Sequence, residues 1–297
     1  MTEVVVGVIG GSGLYDIEGI TDVEEVRLDT PFGAPSDVFV TGHLEGVRCV
    51  FLPRHGRGHR LLPSELNYRA NIWGLKKLGA RFVISISAVG SLREDIVPGH
   101  LVAVDQFIDR TWGRAHTFFG EGVVGHVQFG DPVEPALRRV LIAAAREAGA
   151  TVHDGGTYVC IQGPTFSTRA ESNLFRQWGC SVVGMTNLPE ARLAREAELA
   201  YATLALSTDY DCWHDGHDEV SVESVLATIH GNVETAKSAI KNACRALGAL
   251  GPVSWPSHRA LGGGMAIMTR PEAMPAEARA RLDLLVGPYL WPEEGAR

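Results

Sequence analysis

Short runs of apolar residues recur along the chain, and small, hydroxyl-bearing or charged residues follow most of them. Such runs are typical of strands buried inside a sheet. Segments with helical periodicity lie between the runs, which predicts an α/β protein whose ligand lies along the carboxyl edge of the sheet. The predicted strands cover residues 4–9, 49–52, 82–87, 101–104, 157–161, 181–183 and 201–206.

Helix-capping residues mark the starts of two predicted helices. Thr168 followed by Glu171, and Asn187 followed by Glu190, have the spacing of a capping box, in which each side chain bonds to the other residue's backbone. We therefore expect one helix over residues 168–178 and another from Asn187. Further helices are expected over residues 63–77, 135–148 and 275–285, and in a long segment from residue 221.

The length and the C-terminal composition bear on domain organisation. A chain of 297 residues is long enough to bury one large core. Residues 251–264 are rich in Gly, Pro and Ser, and the roughly 30 residues beyond them are too few to fold alone. We therefore expect a single domain over residues 1–297, with a core over 1–250 and residues 251–297 as a linker and helical C-terminal extension.

Charge and cysteine usage limit the classes of partner and compartment. The formal net charge of −8 argues against a nucleic-acid or membrane-surface partner. The five cysteines are scattered without a Cys-x-x-Cys pair, which fits reduced thiols in a cytoplasm. The first apolar run is too short for a signal peptide, and no run approaches the ~20 residues that span a bilayer. We expect a cytoplasmic protein.

A basic cluster at residues 53–60 directly follows an apolar run. Arginine presents a fork of donors that suits phosphate, and histidine can add a donor. A solvated basic loop would have the same composition, but in an acidic protein we favour an oxyanion site. The glycine-rich turn at 10–13 lacks the spacing of a dinucleotide motif and fits a simple tight turn equally well. Five residues at predicted strand ends can donate hydrogen bonds to one phosphate or sulfate ion: Ser12, Arg54, His55, Ser87 and Thr186.

Two carboxylates, Asp209 and Asp211, come just after the predicted strand at 201–206. At the carboxyl end of a strand they would project into the crevice where open α/β sheets bind ligands. One ionised oxygen of such a pair can accept a hydrogen bond while a protonated partner donates one. Two solvated loop aspartates are the alternative that this stretch alone leaves open.

Six motifs, taken together and in order, resemble the methylthioadenosine-cleaving members of the trimeric purine nucleoside phosphorylase family. The match runs from Val6 to about Gly248, and the set is specific although each motif alone is not. The motifs are Gly-Gly-Ser-Gly-Leu at 10–14, Arg-His-Gly-Arg at 54–57, Gly-Ser-Leu-Arg-Glu at 90–94, Asp-Gln-Phe-Ile-Asp-Arg-Thr at 105–111, Gly-Pro-Thr-Phe-Ser-Thr-Arg-Ala-Glu-Ser at 163–172 and Thr-Asp-Tyr-Asp-Cys-Trp at 208–213.

The resemblance implies a fold and a reaction. The fold would be a three-layer α/β/α structure with a mixed central sheet, assembled as a homotrimer. The reaction would be phosphorolysis of S-methyl-5′-thioadenosine to adenine and 5-methylthioribose 1-phosphate, as a step of purine and methionine salvage. Inorganic phosphate would be a co-substrate, with no cofactor and no metal ion.

The resemblance also implies roles for individual residues. Phe166 would pack on the purine and Met185 beneath the ribose. His126 is similar to a family histidine that reaches the 5′ pocket of the neighbouring subunit. The methylthio group would lie against Val222, Val225 and Leu226. Phosphate would be bound by Ser12, Arg54, His55, Ser87, Ala88 and Thr186.

The general acid expected from the resemblance is Asp209, which would protonate N7 of the purine while Asp211 supports it and the exocyclic amine. An ionised aspartate accepts from a 6-amino group but repels a 6-oxo oxygen. Family members that cleave guanosine or inosine have Asn in place of Asp209 and Glu in place of Ser167. Both positions therefore favour adenine as the base.

Three other functions compete with this hypothesis. A metal hydrolase could use the His-x-x-His spacing near Cys212, although these residues have no regular helical register. A non-catalytic nucleoside-binding protein would not need an oxyanion site, and a nucleosidase that uses water would leave Arg54 and His55 unexplained. The metal hydrolase would use Asp209, Asp211, Cys212, His214, His217 and Asp218.

Overall fold

One mixed sheet of eleven strands forms the centre of the protein in a computed structural model. The structure describes residues 3–11, 14, 17–214, 222–262 and 265–291, with the backbone alone for 222–230. The strands are β1 (Val5–Gly10), β2 (Thr21–Val26), β3 (Phe39–Leu44), β4 (Val47–Pro53), β5 (Phe82–Ser91), β6 (Leu101–Ala103), β7 (Gln106–Arg110), β8 (Val152–Asp154), β9 (Thr157–Ile161), β10 (Cys180–Gly184) and β11 (Ala200–Tyr210). The helices are α1 (Tyr68–Lys77), α2 (Pro135–Glu147), α3 (Arg169–Gln177), α4 (Asn187–Glu196), α5 (Val222–Leu250) and α6 (Ala276–Leu290).

The sheet branches at β5. The first half of β5 pairs in parallel with β1 on one side and with β11 on the other. Its last residues, Gly90 and Ser91, pair antiparallel with β10 on the side where β1 has ended, and they still pair with β11 on the other side. Because β1, β4, β5 and β11 run parallel, their carboxyl ends meet at one edge of the sheet. Residues that the sequence places at separate strand ends are therefore brought together there.

The alternation of side chains along the strands separates two hydrophobic layers. In β1, Val5 and Ile9 face one layer and Val6 and Val8 face the other. The first layer contains apolar residues of α1, α4 and α6, and the second contains those of α2 and α5. Helices thus cover both faces of the sheet, and the predicted α/β fold with a mixed central sheet is confirmed.

Several predicted boundaries differ from the structure. Helix α1 begins at Tyr68 rather than near residue 63, because the Asn67 side chain caps it by accepting from the backbone N–H of Ala70. Strand β11 continues to Tyr210, so Asp209 lies within the strand, beyond a register shift that follows Ser207.

The two predicted capping boxes had different outcomes. The box at Thr168 is present, with both reciprocal hydrogen bonds to Glu171. The prediction of a capping box at Asn187 is wrong. Thr186 occupies the N-cap position without a side-chain hydrogen bond to the helix end, and Asn187 and Glu190 are buried. The same residue spacing therefore serves a helix end in one place and a buried polar network in the other.

The C-terminal segment packs on the core that α1 and α4 share. Leu261, Met274 and Leu282 are buried in the same hydrophobic cluster as those helices. Glu198 holds the segment at two points, because its carboxylate accepts from the Leu261 N–H at 2.9 Å and from the Tyr289 hydroxyl at 2.6 Å. This packing supports the single-domain arrangement, which stays a prediction.

If residues 251–291 form one cooperative unit with the core, Tyr289→Phe should lower the free energy of unfolding by about 1–3 kcal/mol in a single transition. Phenylalanine keeps the ring, so the loss isolates the hydroxyl that donates to Glu198. Urea denaturation followed by fluorescence and circular dichroism measures both quantities. Two separate transitions, or an unchanged stability, would contradict the single-unit arrangement.

Candidate active site

A cavity of about 440 Å³ opens where the parallel strands end. It brings together nine of the residues predicted from the sequence, drawn from β5, β11 and the loops after β4, β9, β10 and β11. Gly11 lies on its wall, whereas its neighbour Ser12 is outside the described residues. The nine are Arg54, His55, Ser87, Ala88, Phe166, Met185, Thr186, Asp209 and Asp211.

Arg54 is almost completely buried beside the cavity and is paired with Glu190. Its Nε and Nη2 donate to the Glu190 carboxylate at 2.8 and 3.1 Å. Nη2 also donates to Ser85 Oγ at 2.6 Å, and Nη1 donates to the Ile86 carbonyl at 2.9 Å. Four of the five guanidinium N–H groups thus have partners, and one on Nη1 has none among the residues that the structure describes. Burial disfavours the charge, but Glu190 outweighs it and the pKa of Arg54 is raised.

The Glu190 carboxylate collects further donors behind the cavity. Its Oε1 accepts from Ser85 Oγ at 2.7 Å and from the Tyr201 hydroxyl at 2.9 Å. Asn187 donates to the same Tyr201 hydroxyl. Sequence reasoning missed this network because each member has an ordinary local pattern: a strand serine, a strand tyrosine and the Asn-x-x-Glu spacing of a helix cap.

His55 lines the cavity next to Arg54, and its loop fixes the ring. The His55 Nδ1 lies 2.8 Å from the Leu61 carbonyl oxygen, and the Leu61 N–H donates back to the His55 carbonyl at 3.1 Å. The ring also stacks on His59 with 4.3 Å between centroids. Burial, with the neighbouring Arg54 and His59, lowers the pKa of His55 to about 4. The ring is therefore neutral at physiological pH.

Two hydroxyls and a buried tyrosine form a second polar group in the cavity. Ser87 Oγ lies 3.4 Å from Thr186 Oγ1 and 3.3 Å from the Tyr158 hydroxyl. The Thr186 backbone N–H also donates to the Tyr158 hydroxyl at 3.4 Å. Gly184 makes this approach possible, since a Cβ there would overlap the Tyr158 hydroxyl. Tyr158 thus holds two predicted phosphate-binding residues, a role that its place in an apolar strand did not reveal.

Asp209 also lines the cavity and is largely buried. Burial raises the pKa of Asp209 to about 6, the nearby Asp211 adds to the rise, and a hydrogen bond from Thr208 opposes it. That bond joins Thr208 Oγ1 to Asp209 Oδ2 at 2.6 Å. A carboxyl group with this pKa can hold a proton and release it near neutral pH, as a general acid requires.

Asp211 is buried below Asp209, and burial also raises its pKa. Its Oδ2 is buried without a hydrogen-bond partner among the described residues. Gly90 on the facing strand allows both aspartates to approach, because a Cβ there would lie 3.1 Å from Asp209 Oδ1 and 3.2 Å from Asp211 Cβ. The aspartate pair therefore belongs to the cavity and is not the solvated loop pair that the sequence also allowed.

Phe166 and Met185 lie on two loops that one buried arginine connects. The Arg114 Nη1 donates to the Met185 carbonyl at 2.8 Å, and its Nη2 donates to the Gln162 carbonyl at 2.8 Å. Phe166 is about half exposed at the cavity wall, so its ring can stack on an aromatic ligand. Sequence reasoning missed Arg114, because a single arginine in an irregular segment has no distinguishing pattern.

The remaining predicted residues do not line the cavity in the described structure. His126 is exposed on a segment bound to the C-terminal extension, where its N–H donates to the Ala266 carbonyl at 2.8 Å. The side chains of Val222, Val225 and Leu226 lie outside the described residues. Their predicted roles in the 5′ pocket stay predictions.

The residues of the competing metal site are only partly described. Cys212 donates through its thiol to the Ser167 carbonyl at 3.2 Å, and His214 stacks on Tyr210. His217 and Asp218 lie outside the described residues. Within the described ranges, no three His, Cys, Asp or Glu side chains are placed to hold a metal ion, and no helix is long and apolar enough to cross a membrane.

Comparison with known proteins shows the family of the chain. The model of the phosphorylase superfamily matches residues 5–247. The S-methyl-5′-thioadenosine phosphorylase of Geobacter sulfurreducens is 63% identical over 97% of this chain and 100% of its own length. The enzyme of the same name from Synechocystis sp. is 55% identical over 98% of this chain and 90% of its own length.

Solved structures lead to the same family. A crystal structure of a methylthioadenosine phosphorylase from an antarctic soil metagenomic library has a TM-score of 0.90 and 48% identity, covering 96% of this chain and 99% of that one. A variant of the adenosine/methylthioadenosine phosphorylase of Schistosoma mansoni, solved with adenine, has a TM-score of 0.80 and 41% identity, covering 83% and 93%. The chain belongs to the phosphorylase superfamily and, within it, to the S-methyl-5′-thioadenosine phosphorylases.

Proposed function

We propose that this protein cleaves S-methyl-5′-thioadenosine with inorganic phosphate, giving adenine and 5-methylthioribose 1-phosphate. One observation carries the proposal: a single cavity is lined both by a cluster of hydrogen-bond donors and by an aspartate of raised pKa. An oxyanion and a base that must be protonated fit these two features. The proposal includes no cofactor and no metal ion, with phosphate as co-substrate.

In the proposed reaction, a phosphate oxygen forms a bond to C1′ while the C1′–N9 bond breaks. The electron pair of that bond moves into the purine, where Asp209 supplies a proton to N7 so that neutral adenine leaves. Such a positioned acid contributes ~10²–10⁴-fold to the rate. Asp211 lines the same cavity and would accept from the 6-amino group.

The phosphate would lie among Arg54, His55, Ser87, Ala88 and Thr186, with Ser12 beside them. The one free N–H of Arg54 and the two hydroxyls supply donors, and the exposed Ala88 leaves room for the anion. Phe166 would stack on the purine and Met185 would lie beneath the ribose. Arg54 is a poor residue for testing this site by substitution, because its removal would also leave Glu190 buried and unpaired.

We propose that three chains assemble and that His126 reaches the 5′ pocket of a neighbour. Exposed apolar side chains near His126 support an interface there: Val124 is 49% exposed, Met265 88% and Met268 65%. Val124 and Met268 are joined by a backbone hydrogen bond of 2.9 Å, so they lie on the same paired segment. Burying such side chains against another chain is favourable.

We further propose a cytoplasmic location and a part in purine and methionine salvage. All five cysteines are free thiols in the structure, which suits a reducing compartment. The net charge of −8 does not favour nucleic acid or a membrane surface as partners.

The reaction is tested by adenine release from S-methyl-5′-thioadenosine with and without phosphate, beside inosine as a second nucleoside. We expect release that depends on phosphate and little action on inosine. Release that does not need phosphate would identify a nucleosidase, and activity on inosine alone would contradict the proposed role of Asp209.

The general acid is tested with Asp209→Asn, which we expect to lower kcat by at least ~10²-fold while the protein stays folded. In the wild type at saturating phosphate, kcat/KM for the nucleoside should fall as pH rises above about 6, since the enzyme form that meets the nucleoside then loses the proton of Asp209. Steady-state assays across pH measure both. Near-normal turnover in the variant would exclude this role for Asp209. The same fall of kcat/KM above about pH 6 in the variant would also exclude it.

The assembly is tested by light scattering of the purified protein, for which we expect a single species of three chains. His126→Ala should then raise KM for the 5′-methylthio nucleoside without changing KM for phosphate, because the imidazole would contact the 5′ end alone. A monodisperse monomer or dimer would refute the trimer, and a variant with unchanged nucleoside KM would refute the contact.

A further inference from the structure

The tautomer of His55 is set by its own loop. A carbonyl oxygen can only accept a hydrogen bond, so the 2.8 Å contact between His55 Nδ1 and the Leu61 oxygen requires the proton on Nδ1. The reciprocal bond from the Leu61 N–H to the His55 carbonyl closes the loop and holds the ring in this orientation. In a neutral ring, the other nitrogen, Nε2, then has a lone pair and no hydrogen.

The surroundings keep the ring neutral. The charged and titratable groups near it come from three elements: Arg54 at the end of β4, His59 in the loop and Glu190 in α4. Burial has the largest effect on the pKa of His55 and lowers it, the two basic residues lower it further, and Glu190 and the bond to Leu61 only partly oppose them. Gaining a second proton, on Nε2, is therefore unfavourable near neutral pH.

Because Leu61 occupies Nδ1, Nε2 is the nitrogen of His55 that remains for a ligand. The ring lines the cavity with Arg54, Ser87 and Thr186, and no other described residue makes a hydrogen bond to Nε2. The other polar groups of this side do not distinguish between anions. A serine or threonine hydroxyl can rotate to donate to any oxyanion, and the free N–H of Arg54 donates to any of them.

We propose that His55 accepts a hydrogen bond from the bound anion and thereby selects a tetrahedral oxyanion that carries a proton, such as hydrogen phosphate, over one that carries none, such as sulfate. The selection rests on the proposed function of the cavity as a phosphate site. It replaces the sequence-based expectation that His55 donates to the anion.

A lone pair on Nε2 explains why the two anions differ. Hydrogen phosphate has an O–H that can donate to Nε2, so every polar contact is complementary. Sulfate at neutral pH has only acceptor oxygens, so one of them would face the Nε2 lone pair without a hydrogen between them. Sites built to bond a substrate hydroxyl can reject analogues that lack it by ~10⁴–10⁵, and in a cavity open to water we expect at least ~10-fold.

The test compares anions of similar size in the phosphorolysis assay. Sulfate and monofluorophosphate, dianions without a proton, serve as inhibitors against phosphate, and arsenate, which carries a proton, serves as an alternative co-substrate. For the wild type we expect the inhibition constants of sulfate and monofluorophosphate to be at least ~10-fold above the phosphate KM. We expect arsenate to replace phosphate as co-substrate. Inhibition by sulfate and monofluorophosphate at the phosphate KM would overturn the proposal.

His55→Gln places an amide near the position of Nε2 that can donate as well as accept. The ratio of the sulfate inhibition constant to the phosphate KM should fall at least ~5-fold in this variant. Thr186→Val is the matched control: it removes a hydroxyl that serves both anions, so both constants should rise together and the ratio should stay. An unchanged ratio in His55→Gln, or an equal fall in Thr186→Val, would overturn the assignment to His55.

Two readouts separate this inference from the proposed function. Adenine release without any phosphate dependence would defeat the proposed function, whereas phosphate dependence with equal binding of sulfate would defeat the inference alone. The tautomer is also measurable without activity, because nitrogen-15 chemical shifts of the His55 ring distinguish a protonated Nδ1 from a protonated Nε2. A proton on Nε2 in the free protein would refute the proposal even if the variants do not fold.

Discussion

The arrangement of the cavity depends on the buried ion pair between Arg54 and Glu190. The pair joins the end of β4 to helix α4, and Ser85 connects both partners to the central strand β5. A buried pair adds little stability over well-packed apolar residues, but loss of one partner costs about 3–5 kcal/mol because a lone charge stays buried. The pair therefore fixes positions more than it stabilises the fold, and the residues around the cavity take their places from it.

The same pair sets the electrostatics of the cavity. Glu190 balances the charge of Arg54, and His55 beside it is neutral, so a bound anion meets donors more than net positive charge. This matters for Asp209, because strong positive charge in the cavity would favour its ionised form and lower its pKa. Because Arg54 is already paired with Glu190, burial has the largest effect on the Asp209 carboxyl group, and its pKa stays raised. An oxyanion site and a carboxyl group of raised pKa can then share one small cavity.

The sequence predicted the parts of this arrangement that depend on local patterns. Apolar runs located seven strands, and because parallel strands end together, residues as distant as Arg54 and Asp209 could be assigned to one site. Partners chosen across the fold were not predictable: Glu190 has the spacing of a helix cap but bonds to a residue far away in sequence. Tyr158 looks like an ordinary buried strand residue, and its hydroxyl contacts appear only once β9, β10 and β5 are side by side.

The proton that hydrogen phosphate loses in the proposed reaction also matches the proton that adenine gains. Hydrogen phosphate has one proton that becomes superfluous when the phosphate ester forms, and adenine needs one proton to leave as a neutral base. His55 would accept a hydrogen bond from the O–H of the anion, and Asp209 would supply the proton that adenine gains. The ester loses its proton to solvent and Asp209 regains one from solvent, so the overall reaction neither consumes nor releases a proton. Both groups owe their protonation states to burial, which holds His55 neutral and Asp209 protonated more readily than water would. Burial of these two side chains is thus a common cause of the proposed anion selection and of the proposed acid catalysis.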